Sequence, residues 1–270
     1  MIWFGNRDGG SLIGNEVNAI NPADRGYTVG QGVFETLPVR SGQPFALERH
    51  LDRLVRSAQI LRLPEPNLNV VRDAVHRVIA ANLDAIGELG RLRITYTAGL
   101  PEQLPTLMVT CVAQTPWPDS TTAVTVPWIR NERSAINGAK STSYAENVLA
   151  LAAAHESGAA EAIFANTAGN LCEGAASNIF VVLDGELLTP TLASGCLPGV
   201  TRELVIQWFK IQEVELPMSV LNDAEEIFLT SSTRGIHPVV RIDNRHLEIG
   251  AVTRKLREQF QALVAQGINP

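Results

Sequence analysis

Two prolines in Thr115-Pro116-Trp117-Pro118-Asp119-Ser120 interrupt the chain near its middle, and they constrain its fold more than any other feature. Proline donates no backbone hydrogen bond and is confined to sheet edges and turns, so this stretch ends one sheet before the next segment begins. At 270 residues and 45% hydrophobic, the chain is long and apolar enough to bury a core on each side of the break. The expected organisation is a small α/β domain over 1–116, a linker at 117–120 and a larger domain over 121–270.

Before the break, Val33-Phe34-Glu35-Thr36-Leu37-Pro38-Val39 reads as a strand, and Leu47, Leu51, Leu54, Val55, Ala58 and Leu61 recur at helical spacing. A second helix is expected from about Leu68 to Leu83. Arg91–Thr97 and Leu107–Val112 are β-rich runs around a Gly/Pro loop, which predicts adjacent strands. After the break come a strand at Ala123–Trp128, an irregular loop, a helix around Tyr144–Glu156, and strands at Ala162–Ala165 and Asn178–Leu183. Asp184-Gly185 is a hairpin turn signal. Many short strands with interspersed helices predict a barrel-like α+β domain, closed by a terminal helix over Val252–Val264.

The formal charge of −6 and pI near 5.4 argue against a general affinity for nucleic acid or an anionic membrane, and favour a small-molecule partner. The longest apolar run, Val148–Ala154, is far short of the ~20 residues that span a bilayer. Met1–Asp8 turns polar too early to serve as a signal-peptide core. Cys111, Cys172 and Cys196 lack CxxC spacing, so a disulfide framework or metal site is not expected and the cytoplasm is the expected compartment.

Lys140 lies in Asn137-Gly138-Ala139-Lys140-Ser141-Thr142-Ser143-Tyr144, and Glu173 follows in Leu171-Cys172-Glu173-Gly174. A lysine amine condenses with an aldehyde cofactor and later serves as a base, while a carboxylate beside a pyridine nitrogen keeps that ring electron-poor. The pair points to pyridoxal phosphate chemistry, whereas a lone lysine is ordinarily solvated surface. Gly199-Val200-Thr201 opens an apolar-periodic helix whose first N–H groups suit an anion, the plain alternative being a helix capped by Thr201. Arg49, Arg53 and Arg56 read by themselves as a solvated helix face, and His50 as a structural histidine.

Taken together, Leu47-Glu48-Arg49-His50-Leu51-Asp52-Arg53-Leu54, Lys140 to Tyr144 with Asn147, Glu173-Gly174-Ala175-Ala176-Ser177-Asn178-Ile179-Phe180, Leu188-Thr189-Pro190 and Leu197-Pro198-Gly199-Val200-Thr201-Arg202 occur in an order that chance does not readily produce. In these motifs the chain resembles the fold-type IV pyridoxal phosphate enzymes, the class IV aminotransferase family of branched-chain aminotransferases, D-amino acid aminotransferases and 4-amino-4-deoxychorismate lyases. The resemblance runs from Asp24-Arg25-Gly26 to Pro238 and implies a two-domain fold like that of D-amino acid aminotransferase.

The resemblance implies that Lys140 is the Schiff-base lysine and proton shuttle, that Glu173 partners the pyridine nitrogen, and that Tyr144 bonds the cofactor's phenolic oxygen. It assigns Arg53, Gly199, Val200, Thr201 and Ser232 to the phosphate and places Ser177, Asn178 and Leu197 around the cofactor. For a substrate carboxylate, Arg93 on the substrate-facing alternation of its strand is the first candidate, Arg234 the second and Arg40 the third, each equally readable as a structural ion pair, with Thr36 and Thr233 beside the substrate.

The Gly32-Val33-Phe34-Glu35-Thr36 strand, Leu171–Gly174 and Leu229–Arg234 look like those of the lyases, which make pyruvate and 4-aminobenzoate for folate precursor synthesis. The expectation is therefore the lyase, with an aminotransferase acting on D- or branched-chain amino acids as the alternative and a cofactor-carrying binding protein as a third reading. The Arg-x-His carboxylate trap of the D-amino acid enzymes is missing after the 91–97 strand, where Gly99-Leu100-Pro101-Glu102-Gln103 stands. Ala98 stands where many relatives have arginine. The family also implies a homodimer.

Overall fold

The computed structural model describes every residue except Asn18 and Gln103, so the last residue of Gly99–Gln103 lies outside the described residues. The chain divides into two compact units, one of Met1–Pro116 with Ala139–Tyr144 and one of Trp117–Gly138 with Ala145–Ile268. The lysine segment at 139–144 is thus grouped with the first unit, whereas the sequence reading had placed it within a domain over 121–270. The physical reason is an open strand edge in the first unit, described below with the site.

The first unit runs β1 (Ile2–Asn6), β2 (Gly9–Ile13), α1 (Arg25–Thr28), β3 (Gly32–Arg40), β4 (Gln43–Pro44), α2 (Leu47–Ile60), α3 (Leu68–Ile86), β5 (Leu89–Thr97) and β6 (Thr106–Ala113). Its strands form one sheet in the order β2-β1-β6-β5-β3-β4, and every pairing among them is antiparallel. Because strand side chains alternate, one face carries Val33, Leu37 and Val39 from β3 and Leu92, Ile94 and Tyr96 from β5. These bury against Leu51 and Leu54 of α2 and Val71, Val75 and Val78 of α3. Burying each such side chain contributes about 1.5–3 kcal/mol, and helical periodicity in α2 and α3 follows directly from this one-sided contact. The N-terminal hairpin was absent from the sequence reading. Its signal is weak because Gly5, Gly9 and Gly10 replace side chains, and they are needed there: a Cβ on Gly10 would lie 2.6 Å from the Trp3 ring.

The second unit runs β7 (Thr121–Arg130), α4 (Ala145–Glu156), β8 (Glu161–Asn166), β9 (Leu171–Gly174), β10 (Asn178–Leu183), β11 (Glu186–Pro190), a 3-10 turn at Leu192–Ser194, α5 (Val200–Phe209), β12 (Gln212–Val214), α6 (Val220–Asp223), β13 (Glu226–Ser231), β14 (Gly235–Ile242), β15 (Arg245–His246) and α7 (Ala251–Gln266). The sheet order is β12-β11-β10-β13-β14-β7-β8-β9, with β15 on β14. The β14–β7, β7–β8 and β11–β12 pairs are parallel. The terminal strand β9 also packs against β10 and β11, so the sheet curls back on itself as the barrel-like expectation required. Asp184 and Gly185 take positive φ of 51° and 76° between β10 and β11, the backbone twist a two-residue hairpin needs. The α4 helix seats Ala150 and Ala154 on Ala162 and Phe164, small residues that let the helix approach β8 closely.

Candidate active site

In the first unit, Lys140 owes its position to an unfilled strand edge. Because β4 pairs only with Val39 and Arg40, the start of β3 is open on that side. The lysine segment occupies the vacancy: Phe34 N–H donates to the Lys140 carbonyl and Thr142 N–H to the Gly32 carbonyl, each at 2.9 Å, around a Val33–Ser141 bridge. The Lys140 N–H in turn donates to Ser57 Oγ at 3.1 Å. Ser57 is fully buried on α2. The lysine backbone is therefore gripped from both a strand and a helix, and Ser57 was not singled out by the sequence reading.

His50, Arg53 and Ser57 recur at i, i+3 and i+7, so they share the inward face of α2. Opposite them stands Glu35, the acidic residue in the otherwise apolar Val33–Leu37–Val39 row. Arg53 grips it with two hydrogen bonds, Nε to Oε1 at 2.9 Å and Nη2 to Oε2 at 2.6 Å. His50 Nδ1 lies 2.6 Å from Oε2, and since an ionised carboxylate only accepts, Nδ1 carries the proton. Burial alone would raise the Glu35 pKa, but the charge and hydrogen bonds of Arg53 and then of His50 outweigh it and hold the group at about 2. Burial depresses His50, against the pull of Glu35. His50 is thus a neutral structural group, as expected.

The sheet face away from the helices carries the side chains that frame the lysine amine. Lys140 Nζ lies 4.5 Å from the Phe34 ring centroid and Arg93 Cζ lies 3.9 Å from the same centroid. Tyr144 meets that ring edge-on with centroids 5.5 Å apart. Thr36 is half-buried and directly opposite Arg93. Arg93 Nε donates to Thr95 Oγ1 at 3.2 Å, and among the described residues no carboxylate lies within ion-pair distance of Arg93. Arg40 ends β3 exposed to solvent.

In the second unit, Glu173 sits on β9 with both oxygens engaged: Oε1 accepts from Arg130 Nε at 3.2 Å and Oε2 from the Leu197 N–H at 2.9 Å. Arg130, at the end of β7, also reaches Glu146 at 2.6 Å and lies over the Phe164 ring at 4.2 Å. It is a second residue the sequence reading passed over, since a lone arginine in a loop-rich stretch has no local signature. Leu197 connects two features: its N–H holds Glu173, and its carbonyl accepts from Asn178 Nδ2 at 2.8 Å. Two residues later Gly199 starts α5, whose N-cap makes no side-chain hydrogen bond. The alternative of a helix capped by Thr201 is therefore not what forms, and the first N–H groups of α5 remain suited to an anion.

A Cβ at position 199 would fall 2.1 Å from Asn178 Oδ1. Gly199→Ala is accordingly expected to displace Asn178 and the start of α5, at a stability loss of about 1–3 kcal/mol from overpacking. Urea denaturation checks the loss, and a parallel titration with pyridoxal phosphate should show weakened binding; unchanged affinity would remove α5 from the phosphate site.

The remaining expected residues are placed as follows. Ser177 Oγ donates to Glu161 Oε2 at 3.0 Å. Val200 and Thr201 are buried in the first turn of α5. Ser232 and Thr233 lie half-buried in the turn joining β13 and β14. Arg234, in the same turn, is bound to the buried Glu161 at 3.0 Å and stacked over Trp117 at 4.3 Å, with its side chain 5% exposed. That engagement pairs the Arg234 guanidinium with a buried carboxylate of its own unit.

The chain is similar to known proteins along most of its length. The model of the amino-transferase class IV family matches residues 32–242. A candidate branched-chain-amino-acid aminotransferase of Methanocaldococcus jannaschii is 31% identical, with 93% of each chain covered. The pyridoxal-phosphate-bound form of a hypothetical aminotransferase from Mycobacterium tuberculosis superposes with a TM-score of 0.88 at 28% identity, covering 98% of this chain and 99% of that one. A candidate 4-amino-4-deoxychorismate lyase from Legionella pneumophila superposes with a TM-score of 0.85 at 26% identity, covering 92% and 96%.

Proposed function

The chain belongs to the class IV aminotransferase family, whose members depend on pyridoxal phosphate, and on that premise we propose that it transfers the amino group of a carboxylate-bearing primary amine, with Lys140 as the catalytic base. The observation that carries this reading is the grouping of the Lys140 amine and the Arg93 guanidinium around one Phe34 ring, where among the described residues no carboxylate lies within ion-pair distance of Arg93. An amine-handling group and a carboxylate-binding group lie there within the span of a small substrate.

The residues present fit the cofactor, and when bound it supplies an aldehyde that captures amines and a ring that accepts the electron pair left when the adjacent carbon loses its proton. Glu173, fixed by Arg130 and the Leu197 N–H, would hold the ring nitrogen. The uncapped start of α5 and Ser232 would hold the phosphate. Arg53, which holds Glu35 through Nε and Nη2, would take part in holding the phosphate. Arg93 would orient the substrate by its carboxylate. Lys140 would then take the proton from the amine-bearing carbon and return it one position away.

The lyase is the second reading, supported by the Legionella pneumophila neighbour and by the Gly32–Thr36 strand. One experiment separates the two. Protein loaded with pyridoxal phosphate is expected to convert amino acids only when a 2-oxo acid acceptor is present, measured by the oxo acid formed. Repeated release of pyruvate and 4-aminobenzoate from 4-amino-4-deoxychorismate without any acceptor would instead assign the lyase.

The α4 helix exposes Val148 and Leu149 side by side, 57% and 63% accessible, and this apolar face supports association with a second copy of the chain. Cys111, Cys172 and Cys196 are buried and unpaired with one another, which supports a reducing cytoplasm as the compartment. Among the described residues no helix is long and apolar enough to cross a membrane.

A further inference from the structure

Within the second unit a single buried acid ties together two separate segments of the site. Glu161 opens β8 and is fully buried. Its Oε1 accepts from the Ala162 and Ala176 N–H groups, each at 3.2 Å. Its Oε2 accepts from Ser177 Oγ at 3.0 Å and lies 3.0 Å from Arg234 Nη1. Ala176 and Ser177 belong to the short loop between Glu173 and Asn178, and Arg234 closes the turn that carries Ser232. The packing is tight: a Cβ on Gly174 would fall 2.3 Å from Ser177 Oγ and 3.2 Å from Glu161 Cγ. The Trp117 ring, 4.3 Å from Cζ, holds the Arg234 guanidinium by its face. Apolar residues of similar volume often stabilise such a buried position at least as well as an ion pair does, so what the charged pair contributes is one defined placement of its partners.

We propose that Glu161 is a positioning residue for the cofactor, fixing the spacing between Glu173, which would hold the ring nitrogen, and Ser232, which would hold the phosphate. The proposal rests on the cofactor reading given above, and it applies to amino transfer and to the lyase alike. Glu161 acts without touching the cofactor. It holds the loop directly after Glu173 through Ala176 and Ser177, and the turn of Ser232 through Arg234. The start of α5 is seated by other contacts, the hydrogen bond from Asn178 to the Leu197 carbonyl among them. A ligand that spans the ring and phosphate grips needs them at one separation, whereas a ligand that uses the phosphate grip alone does not.

The test is calorimetric titration of the full chain, stripped of cofactor, with pyridoxal phosphate and with inorganic phosphate, ligands that use both grips and one. In Glu161→Gln, pyridoxal phosphate is expected to bind roughly tenfold to hundredfold more weakly, the equivalent of one or two lost hydrogen bonds, while inorganic phosphate changes by less than about threefold. A role in folding alone would lower both affinities together, so an unchanged ratio of the two overturns the proposal while leaving the cofactor reading in place. Binding of pyridoxal phosphate but not of inorganic phosphate by the unmodified protein removes the phosphate grip and the proposal with it. Binding of neither overturns the cofactor reading itself. Because Glu161→Gln leaves Arg234 a buried cation without its acid, Glu161→Gln combined with Arg234→Met, which removes both charges, is titrated beside it. The double variant should melt near the parent and show the same change of ratio, and a parental ratio in a folded double variant also overturns the proposal.

Discussion

Lys140→Ala is expected to abolish turnover, with kcat reduced by roughly 10²- to 10⁴-fold from the lost proton transfer alone and further by the lost covalent hold on the cofactor. The expectation is specific to chemistry because the hydrogen bonds that seat this residue on β3 and α2 are made by its backbone. The N–H to Ser57 and the carbonyl to Phe34 are both retained in alanine, so the edge of β3 stays filled and the melting temperature should change little. Steady-state kinetics and a thermal melt on the same preparation check both halves. A variant that keeps more than a few percent of the parent rate would show that another group moves the proton. A variant that loses rate and fold together would make Lys140 a structural residue.

Glu35→Gln should cost about 3–5 kcal/mol of stability, the scale of breaking a buried ion pair while its partner stays buried. The carboxylate is fully buried and accepts from both Arg53 and His50. Glutamine keeps the shape but not the charge, so Arg53 and His50 lose their ionised acceptor. The same network gives a pH signature. Glu35 is held at about 2 against its usual 4.5, so in the unfolded state it binds a proton at a higher pH than in the folded state. Its stabilising contribution, roughly 3 kcal/mol, is full above about pH 4.5 and is lost as the pH falls towards 2. His50 is depressed below its usual 6.5, so unfolding also takes up a proton there and stability declines as the pH drops below that value. Urea denaturation from pH 7 to pH 3 should therefore show a steep fall in the parent. Glu35→Gln should show a shallower one, and parallel slopes would contradict the assignment of the acid sensitivity to Glu35.

Local patterns made much of the secondary structure legible. The α2 helix, the β5–β6 pair, the Asp184-Gly185 turn and the terminal helix all follow from side-chain periodicity or turn chemistry, which depend on neighbours a few residues away. The N-terminal hairpin was not legible, because Gly5, Gly9 and Gly10 erase the alternation that marks a strand. Glu35 was within reach: an acid in the inward row of a strand needs buried partners, and the α2 spacing of His50 and Arg53 supplied them. Arg130 was not, because its tie to Glu173 joins strands far apart in the chain and leaves no local trace.

By itself the sequence determined the kind of chemistry, since the ordered motifs around Lys140, Glu173 and Gly199 require a lysine amine, a carboxylate and a helix start, and these are covalent properties of the chain. Tertiary structure alone decided which charges are available. Arg234 ranks second to Arg93 on the sequence alone, yet the fold pairs Arg234 with the buried Glu161, while among the described residues no carboxylate lies within ion-pair distance of Arg93. The availability of a charge depends on what the fold brings within a few ångströms of it, and that distance is set by strand register and burial, which sequence spacing does not encode.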